Sequence, residues 1–192
     1  MSELWVDKLQ RSSGIRPVDF PLGFTIAGQP HVSSQPGTGV LVDTEAKLDT
    51  ALAQKQQEIV ITGSFTITSQ KNLYYNLTIR STTLNNVITA SAALAVNAAF
   101  FKLPSTAHGV ILSGLNLVTV ATDVDGIYIE NGSIRNEISN CFITTPSASA
   151  RYNINIDGQK NRIYNNHLIG NNMIHLNTNA GSTNATGGNI LE

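Results

Sequence analysis

The sequence predicts an all-β protein: a right-handed single-stranded parallel β-helix of about four or five coils, with a short N-terminal capping α-helix and an extended N-terminal arm. Three observations lead there. An octad repeats within the chain, since Asn136-Glu137-Ile138-Ser139-Asn140-Cys141-Phe142-Ile143 returns 25 residues later as Asn161-Arg162-Ile163-Tyr164-Asn165-Asn166-His167-Leu168. From residue 58 onward the apolar residues fall in short β-rich runs between Gly, Asn and Ser, with no helical periodicity. Before residue 38, prolines at 17, 21, 30 and 36 preclude regular structure.

In chain order, residues 1–38 form the arm. Proline withholds backbone donors and fixes φ, so this stretch is expected to be extended. Yet it carries Leu4, Trp5, Val6, Leu9, Phe20, Leu22, Phe24 and Ile26, more apolar surface than a solvated linker needs, so it reads as an arm that docks on an assembly. Residues 39–192 form the β-helix proper. Within it, 43–57 is a helix of about three turns. Asp43 or Thr44 is its N-cap, Glu45 lies in the first turn, and Leu48, Ala51 and Leu52 share a face. Coils then occupy 58–192.

A second strand family precedes each copy of the octad, Gly126-Ile127-Tyr128-Ile129-Glu130 before the first and Asn153-Ile154-Asn155-Ile156-Asp157 before the second. Weaker members run through Phe101-Lys102-Leu103, Val110–Leu117 and Ile174-His175-Leu176, with Leu77 and Ile79 in the first coil. Short strands at a period of roughly 20–27 residues are the mark of a solenoid, whose coils bury their apolar sides only by stacking. Residues 177–192, rich in Asn, Gly, Thr and Ala, are compatible with a polar loop and a last capping strand or with no fixed structure.

The order of helix cap, Ile59-Val60-Ile61-Thr62-Gly63-Ser64-Phe65-Thr66-Ile67, Asn76-Leu77-Thr78-Ile79 and the Ile-x-Asn coils resembles the pectate-lyase-like β-helix proteins from about residue 40 to the end. Such β-helices are common in bacteriophage tailspikes and other virion surface proteins. The resemblance implies a homotrimer on a virion, and a buried asparagine ladder to which Asn140 and Asn165 would belong.

Composition excludes several classes. The 12 Lys and Arg against 13 Asp and Glu give a formal net charge of −1, so no basic field exists to hold nucleic acid. No apolar run reaches membrane-spanning or signal-peptide length, which predicts a soluble product without a secretion signal and no membrane partner. Three glycosylation sequons, at Asn76, Asn131 and Asn184, read as chance matches in an Asn-rich chain. The single cysteine, Cys141, has no internal disulfide partner and sits in an apolar run, as a buried thiol would.

Few residues carry chemistry. Glu130 and Asp157 occupy equivalent positions one coil apart, and carboxylates about 5 Å apart would suit a retaining glycosidase; alternatively each accepts backbone donors in a tight turn, since Gly132 and Gly158 follow. Asp123 and Asp125 could together bind calcium or form a solvated turn. Tyr128, Asn155 and His175 should form an exposed column, a candidate surface for a sugar or a neighbouring subunit. His31, His108, His167 and His175 lack metal-ligand spacing, and neither metal nor cofactor is expected. No acid occurs between Glu58 and Asp123, and enzymes of the resembled group run to more coils than this chain supplies. The expectation is therefore a non-enzymatic virion structural protein, first a capsid decoration or cement protein bound through its arm to the major capsid protein. The alternative is a tailspike-like or tail-fibre component that binds, or cleaves, a host surface glycan.

Overall fold

The computed structural model describes residues 25–26, 29–30, 39–120, 123–146, 151–176 and 184–192, and contacts divide the chain into Met1–Thr38 and Gly39–Glu192. In the first unit, β1 (Thr25–Ile26) and β2 (Gln29–Pro30) pair antiparallel. Leu4, Trp5, Val6, Leu9, Phe20, Leu22 and Phe24 lie outside the described residues.

The second unit opens with β3 (Val40–Val42) and α1 (Glu45–Ala53). Its first coil is β4 (Glu58–Ile61), β5 (Phe65–Ile67) and β6 (Lys71–Asn72); its second is β7 (Thr78–Ser81), β8 (Val87–Ala90) and β9 (Ala99–Leu103). The third is β10 (Ile111–Ser113), β11 (Asn116–Thr119) and β12 (Asp125–Ile129), the fourth β13 (Glu137–Ser139), β14 (Phe142–Thr144) and β15 (Ile154–Ile156). The fifth is β16 (Arg162–Tyr164), β17 (His167–Ile169) and β18 (Ile174–Leu176), and β19 (Ala185–Gly187) with β20 (Ile190–Leu191) begins another. From β4 onward each strand pairs with the third one after it, β3 pairs with β4, and all these pairings are parallel, giving three sheets. Sheet one is β3-β4-β7-β10-β13-β16-β19, sheet two β5-β8-β11-β14-β17-β20, and sheet three β6-β9-β12-β15-β18. This is the parallel β-helix that the repeat predicts, and the tail beyond residue 184 contributes strands to it.

The register explains why the coils stack. Ile59, Ile79, Leu112, Ile138 and Ile163 are aligned in sheet one. Ile88, Leu117, Ile143 and Leu168 are aligned in sheet two, and Phe101, Ile127 and Ile154 in sheet three. All are fully buried. Each such side chain contributes about 1.5–3 kcal/mol when buried, but only a neighbouring coil, about 4.8 Å away, can bury it.

Helix α1 caps the N-terminal end by burying Leu48 and Ala51. Thr44 is the N-cap, its Oγ1 accepting from Lys47 N at 3.3 Å. The helix stops at Ala53, short of 57, because Lys55 takes φ 55° and Lys55 N and Gln56 N turn back to Leu52 O and Ala51 O, a Schellman closure. Underneath, Lys71 is only 3% exposed and its Nζ lies 2.7 Å from both Glu45 and Asp49. Burial alone would raise the Glu45 pKa, but hydrogen bonds from Lys71 and from the Thr68 N–H and hydroxyl outweigh it and hold the carboxyl below its ordinary value of 4.5. A depressed folded-state pKa gives stability that is present above the unfolded value and lost as pH falls through the folded one. The thermal midpoint should therefore drop on going from about pH 5 to about pH 3, and Glu45→Gln should shrink that drop; circular-dichroism melts across this range measure both.

The asparagine ladder lies beside the expected positions. Asn140 and Asn165 are exposed and take φ 55° and 56°; with Gly114 and Gly188, also at positive φ, they turn the chain from sheet one to sheet two. Asparagine suits this left-handed conformation, which explains their recurrence. The ladder runs through neighbouring residues. Asn136 Oδ1 accepts from Val110 N at 2.9 Å, Asn161 Oδ1 from Asn136 N at 3.0 Å, and Asn184 Oδ1 from Asn161 N at 2.9 Å. A second ladder joins Cys141 N to Asn166 Oδ1 at 2.9 Å and Asn166 N to Asn189 Oδ1 at 3.0 Å. Cys141 is buried, and burial pushes its thiol up to about 12.

Candidate functional site

The polar residues singled out by the sequence lie largely on the outer face of sheet three. There the pleat sends Asn72, Lys102, Tyr128, Asn155 and His175 to one side, in register. The column is not uniformly open, however. Asn155 is buried, its amide held between Asp125 Oδ2 and His175 Nδ1. The Tyr128 hydroxyl is already committed, donating to Asp157 Oδ2 at 2.8 Å. Desolvation, reinforced by that bond, raises its pKa to about 12.

Glu130 and Asp157 follow Ile129 and Ile156, which are paired one coil apart. Each carboxylate is held by other groups. Glu130 Oε1 lies 3.1 Å from Lys102 Nζ and Oε2 accepts from Ser105 N at 2.9 Å. Those bonds, Lys102 first, hold the Glu130 carboxyl below its ordinary value, whereas the general acid of a glycosidase needs a raised pKa. The turn after Glu130 closes through Ser133 N to Glu130 O at 3.0 Å with Gly132 at φ 91°, the type II geometry that the Asn131-Gly132 pair favours. Glu130 thus accepts a backbone donor from the preceding coil rather than from its own turn, and Asp157 receives the side-chain hydroxyl of Tyr128.

Asp123 and Asp125 do not share a site. Asp123 is exposed, while Asp125 is 1% exposed and accepts from Tyr152 N at 2.9 Å, Asn155 Nδ2 at 3.0 Å and Arg151 Nη2 at 3.2 Å. A buried carboxylate with three donors replaces the expected solvated turn or calcium ligand. Among the described residues, no three His, Cys, Asp or Glu side chains are grouped to hold a metal. The histidines stay apart: His108 Nδ1 accepts from Ile134 N at 3.3 Å, and His167 Nε2 lies 3.0 Å from Glu192 Oε2. His31 is outside the described residues.

Sequence reasoning missed the partners of Asp125. Arg151 and Tyr152 come about one repeat period after it, and that spacing was the signal available. They assemble a small cluster. The Tyr152 ring stacks on His175 with centroids 4.7 Å apart and planes inclined by 19°, and His175 Nδ1 lies 2.9 Å from Asn155 Oδ1. Comparison with protein families, curated proteins and solved structures finds no match to this chain.

Proposed function

We propose that this chain is a non-enzymatic structural protein of a bacteriophage virion, a homotrimeric capsid decoration protein held to the major capsid protein by its N-terminal arm. The observation that carries the reading is the arm itself, where Leu4, Trp5, Val6 and Leu9 precede a proline-punctuated stretch ahead of a regular, stacked β-helix. Such an arrangement suits an anchor joined to a rigid knob. The engagement of Glu130 by Lys102 and Ser105, and of Asp157 by Tyr128, adds support, since both carboxylates have structural work.

The test is cosedimentation of the full-length chain with separated heads and tails of the phage that encodes it, with its mass followed by light scattering. Binding to heads is expected, and replacing Leu4, Trp5, Val6 and Leu9 together by serine should weaken it by about 30-fold, the loss of one good aromatic anchor. Binding to tails would replace this reading with the tailspike-like alternative, and binding to neither would overturn both.

A further inference from the structure

We propose that His175 and Tyr152, positioned on the outer face of sheet three by Asp125 and Asn155, form a binding site for a neutral saccharide. The site is read from this face alone and stands whether or not the arm meets a capsid.

The relay beneath it runs in one direction. Asp125 is buried and is met by the Arg151 guanidinium, the Tyr152 N–H and the Asn155 amide. A carboxylate receiving a guanidinium and a backbone N–H is an acceptor, so the Asn155 atom facing it at 3.0 Å is Nδ2. Asn155 Oδ1 is then the atom 2.9 Å from His175 Nδ1. An amide oxygen cannot donate, so Nδ1 carries the proton, and in the neutral ring Nε2 holds a lone pair. Among the described residues, Nε2 has no partner. Asp125 also fixes the aromatic neighbour, because it binds the backbone N–H of Tyr152, whose ring lies against the imidazole. One carboxylate thus sets both the tautomer of His175 and the place of Tyr152.

The surroundings select the ligand class. The nearby cations are matched, Arg151 with Asp125 at 3.2 Å and Lys102 with Glu130 at 3.1 Å, while Asp157 receives the Tyr128 hydroxyl. An anionic ligand would meet no excess of positive charge. What the face offers is one oriented acceptor beside a stacked aromatic pair, and its complement is a hydroxyl donor on a ring with an apolar C–H face, as in a neutral pyranose.

The experiment uses the full-length chain with 15N-labelled histidine. Long-range 1H–15N spectra report the His175 tautomer, and methyl glycosides of glucose, galactose, mannose and N-acetylglucosamine are added to roughly 50 mM, above the millimolar dissociation constant expected of so small a site. The expected result is the Nδ1–H tautomer and a saturable shift of His175 Nε2 with at least one glycoside. Saturation transfer to that glycoside should fall at least tenfold in His175→Ala and in Tyr152→Ala. An Nε2–H tautomer, a response to inorganic phosphate but to no glycoside, no response at all, or transfer unchanged in both variants would overturn the proposal; the first three need no variant to fold.

Discussion

Gly158→Ala is expected to destabilise the β-helix by about 3 kcal/mol or more. A Cβ at this position would lie 2.2 Å from Ser133 O, 2.9 Å from Ile129 Cγ2 and 3.0 Å from Asn161 Nδ2. The nearest of these is a backbone carbonyl of the preceding coil, which cannot rotate away as a side chain would. Relief requires separating the two coils, and Asp157 N and Gly158 N both bind Ile129 O across that gap, at 2.8 Å and 3.1 Å. At this chain length such a loss lowers the thermal midpoint by about 6–12 °C. Gly187 supplies the control: nothing lies within 4 Å of its Cβ position, so Gly187→Ala should stay within about 0.5 kcal/mol of the parent. Equal midpoints for the two variants would mean that the coils are not in the close contact described here.

The coils near the C-terminus were legible because inward positions recur at a constant spacing: Ile138 pairs with Ile163, and Ile143 with Leu168. The earlier coils were harder to read. Leu112 pairs with Ile79, 33 residues before it, since turns that project from a stack can lengthen at small entropic cost without disturbing register. The N-cap of α1 was legible, but its end was not, because the left-handed residue that closes it is Lys55 where glycine is usual.

The candidate site shows the same division between what a period reveals and what it conceals. Stacking puts Glu130 below Asp157 and Tyr128 below Asn155, and a repeat alignment recovers both. It does not say which outward groups are covered. Asn155 is buried through Asp125 and the Arg151-Tyr152 segment, which lies in a connection between β14 and β15 rather than in a repeated strand. The misplacement of the ladder has a related cause: Asn140 and Asn165 recur at the same interval as Cys141 and Asn166, so spacing alone cannot say which pair faces inward. The residue types could have done so, because an apolar thiol stands at the head of the Cys141, Asn166 and Asn189 column, whereas the Asn140 and Asn165 column begins and ends in the glycines of a turn, Gly114 and Gly188.

That distinction can be measured. Asn161→Leu is expected to cost about 3 kcal/mol, since it removes the acceptor of Asn136 N at 3.0 Å and one acceptor of Asn136 Nδ2, which keeps Ser133 Oγ at 2.9 Å. Asn136 is buried, and a buried donor left without a partner costs about 1–3 kcal/mol. Asn184 Oδ1 also loses the Asn161 Nδ2 donor at 3.1 Å. The apolar volume of leucine recovers little, because the column is apolar only at Leu77 and Val110, in earlier coils, and the Val110 N–H itself depends on Asn136 Oδ1. At the exposed turn the requirement is conformational instead: Asn140→Gly should change stability by no more than about 0.5 kcal/mol, while Asn140→Ala should cost about 1 kcal/mol, because alanine keeps a Cβ at positive φ without the short polar side chain whose local hydrogen bonding lets asparagine tolerate it. Denaturant unfolding of the three variants separates a buried hydrogen-bond ladder from a left-handed turn, and a larger loss in Asn140→Gly than in Asn161→Leu would return the ladder to Asn140 and Asn165.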